Sequence, residues 1–137
     1  MNLDWRIVIA SSDSERLRDL QGALTRRDIE PICSSTVAQC RQVLAKQRVG
    51  LVFCDRKLAD GDYRDLLVAA ACRSTKGKVK VVLMSPPTDA EDYQNAKHSG
   101  VFEVIDARCR PADLEWMVIQ ARRDDVKPPL SFHAASA

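Results

Sequence analysis

Three short apolar runs in this sequence end directly on residues able to do chemistry. Leu51 to Cys54 is followed by Asp55 and a loop holding Asp60-Gly61-Asp62. Arg6 to Ala10 is followed by Ser11-Ser12-Asp13-Ser14, and Val79 to Met84 is stopped by Ser85-Pro86-Pro87. A short apolar run bounded by turn residues reads as a strand buried on both faces. In an open parallel sheet, ligands bind outside the carboxyl ends of the strands. Asp55 therefore stands where site chemistry usually sits. It would equally serve to end a strand or cap a turn, and spacing does not separate the two readings. Metal chemistry through sulfur is disfavoured. The five cysteines are an odd set with no C-x-x-C pair, and two histidines make a poor zinc site. Buried free thiols in a reducing cytosol are the plain expectation.

The elements that must hold these residues follow in order. Ser11 to Ser14 is rich in helix N-caps, and Leu17, Leu20 and Leu24 recur at helical spacing to about Arg27. Pro31-Ile32-Cys33 is a weak second strand. Thr36 and Gln39 fit a capping box for a helix with Val37, Cys40, Val43 and Leu44 on one face. Gly50 should break that helix before the strand that ends on Asp55. Leu66, Leu67, Ala70 and Ala71 mark a third helix, ended by Lys76-Gly77-Lys78. Thr88 and Glu91 fit another capping box, and the fourth helix reaches Ser99-Gly100. Val101 to Ile105 is the last strand, and Pro111 opens a helix carrying Leu114, Met117, Val118 and Ala121. Trp5 and Trp116 read as packing residues, His98 as exposed, and Arg122-Arg123 as a cationic helix end.

Strict alternation of five strands and helices predicts an α/β fold: a doubly wound, five-stranded parallel sheet with helices on both faces, a three-layer sandwich. In the order 2-1-3-4-5 the ends of strands one and three meet at a switch point. Ser11, Ser12 and Asp55 would then line one crevice.

The totals set bounds. A chain of 137 residues suits one domain. We place it at residues 1–123, with 124–137, which hold Pro128-Pro129, as a disordered tail or linker. No apolar run is long enough to cross a membrane, and no secretion signal is visible. A net charge of +2 without a Lys/Arg block gives no argument for nucleic acid. A cytoplasmic location is expected.

With these landmarks placed, roughly Trp5 to Arg122 resembles the receiver domains of two-component response regulators, which are flavodoxin-like. That family carries an acidic pair closing strand one and an aspartate closing strand three, followed by a loop like M-P-x-x-x-G. Thr or Ser closes strand four, and G-A-x-x-Y-L-x-K-P surrounds strand five. The resemblance implies that Asp55 is the phospho-acceptor, with Ser85 at the phosphoryl-contacting Thr/Ser position. Leu58 and Gly61 fit the loop, with Ala59 in place of Pro. The departures are equally specific. Ser11-Ser12 replace the acidic pair, and Asp13 comes one residue late. From Gly100 onward the ungapped register puts Val104 on the Tyr position, Ala107 on the Lys position and Arg108 on the Pro position. An alternative register aligns Arg110-Pro111 with Lys-Pro at the cost of a three-residue insertion.

Phosphoryl transfer to a carboxylate needs positive charge against the phosphoryl oxygens, which Mg²⁺ and Lys supply in the family. Mg²⁺ is usually held by one or two carboxylates. With Ser11, Ser12 and Ala107 here, metal binding by Asp55 and Asp13 is expected to be absent or weak, and no cofactor is expected. Lys57, two residues past Asp55, is the candidate substitute cation, with Arg56 as the neighbouring choice. The resulting expectation is a non-enzymatic, degenerate receiver, a pseudo-receiver that acts through protein–protein contact. Its partner would be a histidine kinase or an output domain, and a homodimer is possible. The alternative is a working phospho-acceptor, phosphorylated on Asp55 by a histidine kinase. A phospho-aspartyl enzyme is disfavoured, because Lys57 stands where that class often carries a second aspartate.

Overall fold

The computed structural model describes residues 5–72, 79–85, 90–106 and 111–125. Among these residues seven strands and five helices follow one another. The main sheet is built from β1 (Arg6–Ala10), β2 (Ile32–Ser34), β3 (Val49–Asp55), β6 (Lys80–Met84) and β7 (Glu103–Ile105). Its order is β2-β1-β3-β6-β7, and every pairing is parallel. Counted among the sheet strands alone this is the expected order 2-1-3-4-5. The helices are α1 (Ser14–Thr25), α2 (Val37–Lys46), α3 (Tyr63–Ala71), α4 (Ala90–His98) and α5 (Pro111–Asp125).

Period-two alternation along the strands splits the core into two layers. Val8, Ala10, Val52, Cys54, Val81 and Leu83 face α2 and α3. Ile7, Ile9, Leu51, Phe53, Val82 and Met84 face α1 and α5. β3 is buried along its whole length, as the central strand of a sheet covered on both sides must be.

Several local expectations change. Gly50 does not break α2, which stops at Lys46; it lies inside β3. A Cβ there would sit 2.3 Å from the Trp5 indole, so glycine is what lets Trp5 close the bottom of the core. The loop with Asp60-Gly61-Asp62 contains a small antiparallel hairpin, β4 (Lys57–Leu58) against β5 (Gly61–Asp62). α1 ends at Thr25, short of Arg27, and Asp28 turns the chain at φ 61°. Cys40 and Cys54 are buried, whereas Cys33 and Cys72 are exposed. Trp116 is 51% exposed and not a packing residue. α5 continues to Asp125, past the expected domain end at 123. The expectations about Lys76-Gly77-Lys78, Thr88, Ala107, Arg108, Cys109, Arg110 and the tail from 126 lie outside the described residues. Among the described residues no helix is long and apolar enough to cross a membrane.

Candidate functional site

Parallel registers bring the sequence-predicted residues to one end of the sheet. Cys54 pairs with Ala10 and Asp55 with Met84, so Ser11, Asp55 and Ser85 each stand at or just past a strand's carboxyl end. Ser11 N donates to Ser34 O at 2.9 Å and Ser85 N to Ile105 O at 2.9 Å. These bonds carry the ladder one residue past β1 and β6 and anchor both serines.

Both Asp55 carboxylate oxygens are engaged. Ser11 Oγ donates to Oδ2 at 2.5 Å. Arg16 Nη1 donates to Oδ1 at 2.5 Å, as an ion pair. The Asp55 side chain is 10% exposed and that of Arg16 33%. A nearly buried carboxylate needs a cation and hydrogen-bond donors to remain in the fold, and this pair supplies both. The cation is Arg16 and not Lys57. Lys57 is exposed on β4, because the hairpin carries it away from the strand end. Arg56 is not the partner of Asp55 either. Its guanidinium reaches Ser85 Oγ at 3.3 Å and grips both carboxylate oxygens of Asp92 on α4, at 3.0 and 3.4 Å.

The residues next to Ser11 explain how Arg16 arrives there. Asp13 adopts the extended backbone of an N-cap, and its carboxylate accepts from Glu15 N at 3.0 Å and Arg16 N at 3.2 Å. Such a cap is worth about 1 kcal/mol. It starts α1 so that Arg16 lies in the first turn, over Asp55. Asp13 is thus engaged on the helix terminus. Ser12 faces a different task. Its hydroxyl donates to Ser35 O at 3.0 Å and accepts from Ala59 N at 3.1 Å, tying the β3–α3 loop to the β2–α2 turn.

The donor set therefore does not fit Mg²⁺. Of the four positions concerned, Ser11 and Ser12 are neutral hydroxyls, the Asp13 carboxylate caps a helix, and a guanidinium sits on Asp55. The Lys-equivalent Ala107 lies outside the described residues. Val104 is half-buried on β7, with its N–H donating to Glu103 Oε1 at 3.0 Å.

Sequence reasoning missed Arg16, which was passed over among the leucines of α1. One signal was available. A cation in the first turn of a helix opposes the macrodipole, so an Arg there calls for a nearby carboxylate. Around the site the caps are partly as expected. Thr36 Oγ accepts from Gln39 N at 3.1 Å, but Gln39 Oε1 takes Ser35 N at 2.8 Å in place of Thr36 N. Asp62 and Asp65 form a full capping box on α3, and a Cβ on Gly61 would lie 2.4 Å from the Asp65 carboxylate.

A doubly wound domain with an acidic strand end at its switch point belongs to the class of flavodoxin-like α/β folds. Within that class the chain has the receiver fold. It is similar to a CheY-like response regulator receiver domain protein from Methanospirillum hungatei JF-1, with TM-score 0.76 and 20% identity over 88% of this chain and 95% of that one. It is similar to the receiver domain of a signal transduction histidine kinase from Syntrophus aciditrophicus, with TM-score 0.77 and 15% identity over 92% and 96% of the two chains. The receiver domain of NtrX from Brucella abortus follows, with TM-score 0.73 and 18% identity over 84% and 96%. At these identities the likeness is one of fold. No protein-family model and no curated protein matches the sequence.

Proposed function

We propose that this domain is a degenerate receiver, a signalling module that works by protein contact and not by phosphoryl exchange. The observation that carries the reading is the occupation of Asp55 by Arg16 and Ser11 at once. In an intact receiver the acceptor carboxylate lies beside a metal and is free to attack. Here a fixed intramolecular cation takes the metal's electrostatic role, and each oxygen is already held in an ion pair or a short hydrogen bond, which lowers its nucleophilicity. Arg56 holds Ser85 toward Asp92, so the hydroxyl that would follow a phosphoryl group is already engaged. The module would need no cofactor, catalyse nothing, and serve a two-component pathway in the cytoplasm. Receiver folds occur on response regulators and on histidine kinases, so the partner is a histidine kinase or an output domain. The receiver unit in this reading extends through the end of α5, and neither a membrane nor nucleic acid is a partner.

The test adds Mg²⁺ with beryllofluoride or acetyl phosphate and follows amide NMR shifts. The expected result is no saturable change at Asp55, Ser85 or Val104. Saturable shifts running from Asp55 through Ser85 to Val104 would replace this reading with the phospho-acceptor one, as would a partner-affinity change above about tenfold (1.4 kcal/mol).

A further inference from the structure

Away from the crevice, α2 and α3 leave apolar surface uncovered. Val68, in the middle of α3, is 60% exposed. Between the two helices lies an open groove of about 270 Å³ lined by Arg41, Leu44, Val68, Ala69 and Cys72. Leu44 is buried and forms part of the core beneath the groove, whereas Val68 stands on its rim.

The charge lining the groove itself is of one sign, since Arg41 lines it and no carboxylate does. α2 contains no Asp or Glu, and exposes Arg41 and Lys46, with Arg48 following in the turn. The nearby carboxylates are engaged internally. Asp60 accepts from Val37 N and Ala38 N at 2.7 and 3.0 Å, and also feels Arg41. Asp65 accepts from Asp62 N, and Asp62 from Arg64 N, both at 2.9 Å. Among the described residues the other exposed large apolar one, Trp116, differs in setting: the adjacent Glu115 is already paired with Arg27. α4 opens on Glu91 and Asp92.

We propose that the α2–α3 groove docks an acidic amphipathic helix of a partner protein. One apolar side chain enters between Leu44 and Val68, and flanking carboxylates meet Arg41 and Lys46. The volume lies below the roughly 300 Å³ at which small-molecule sites begin, and suits an anchoring side chain. The ten residues of α2 span about 15 Å, enough for two to three turns of a docked helix in the groove-binding mode. A recessed apolar surface favours a projecting side chain. A lipid surface is instead met by apolar side chains that stand out from the protein. The proposal rests on the reading of the domain as a binding module, but not on the state of Asp55.

The test uses the full chain and a labelled synthetic peptide of about 15 residues, with Leu on one helical face and Glu on the other. Fluorescence anisotropy and amide shifts are recorded. Expected are saturable binding, shifts centred on Arg41, Leu44, Val68 and Ala69, and at least tenfold weaker binding when Lys replaces Glu. Val68→Asp and Arg41→Glu should each weaken binding at least tenfold with an unchanged thermal melt. Equal binding of the two peptides, shifts centred on another face, or no saturable binding would overturn the proposal. So would tighter association with phosphatidylserine vesicles, or self-association through Val68. A phosphoryl response at Asp55 would overturn the degenerate-receiver reading and leave these outcomes unchanged.

Discussion

α1 and α4 both flank the crevice, yet they are attached by different physics. α1 buries Leu20, Ala23 and Leu24 in a layer completed by Leu114, Met117 and Val118 of α5. α4 buries only Ala96. What holds α4 is polar: Arg56 to Asp92, Tyr93 Oη to Glu103 Oε1 at 2.8 Å, and Lys97 Nζ to Phe102 O at 2.5 Å. Buried apolar surface is non-directional and hard to trade, while part-exposed polar contacts are each worth about 1 kcal/mol or less. The helix that carries Arg16 is therefore held by buried apolar surface, and the helix answering to Ser85 mainly by part-exposed polar contacts.

The comparison breaks most visibly in the α1 layer. Leu24→Ala should cost about 2–5 kcal/mol in urea denaturation, since Leu24 is 1% exposed. A cost near that of a surface change would mean that α1 is held no more firmly than α4.

A smaller effect is expected at the pair itself. Arg16→Ala should cost about 1–3 kcal/mol, because it leaves a nearly buried carboxylate without its cation. Asp55→Ala in the same chain should recover part of the loss. A double-mutant cycle of denaturation curves measures this, and simple additivity of the two changes would deny the coupling.

The smallest effect is at the α4 latch. Accepting the Tyr93 hydroxyl proton, Glu103 holds the Tyr93 pKa above its ordinary 10.0, and slight burial adds to it. The raised folded value means that the stabilisation is complete below the unfolded pKa and is lost as pH rises through the folded one. Glu103→Gln should bring the Tyr93 titration down toward its ordinary position in an NMR pH series. Amide exchange along α4 should rise with it while the global melt barely moves. An unmoved titration would remove Glu103 as the cause.

Much of the site was readable from residue types and spacing. An apolar run closed by an acid defines Asp55, and the hydroxyls Ser11 and Ser85 fall at the other strand ends by the same logic. The charge partner was not readable, because spacing along a strand brings Lys57 near Asp55 only if the strand continues. The chain instead folds back at once into the hairpin of β4 and β5. Asp13, one residue past the acidic-pair position, was expected to bind metal weakly or not at all, and the amides at the start of α1 take its carboxylate.

The sequence by itself determined the alternation of main-sheet strands and helices, which follows from periodicity, and the handedness of crossovers narrowed the sheet order to a few doubly wound choices. Only the tertiary structure decided that Arg16, 39 positions from Asp55, lies over it, that Arg56 turns instead to Ser85 and Asp92, and that Val68 stays uncovered beside Arg41. Such pairings depend on where helix ends come to rest against strand ends. That is set by packing of the whole domain, to which no local pattern answers.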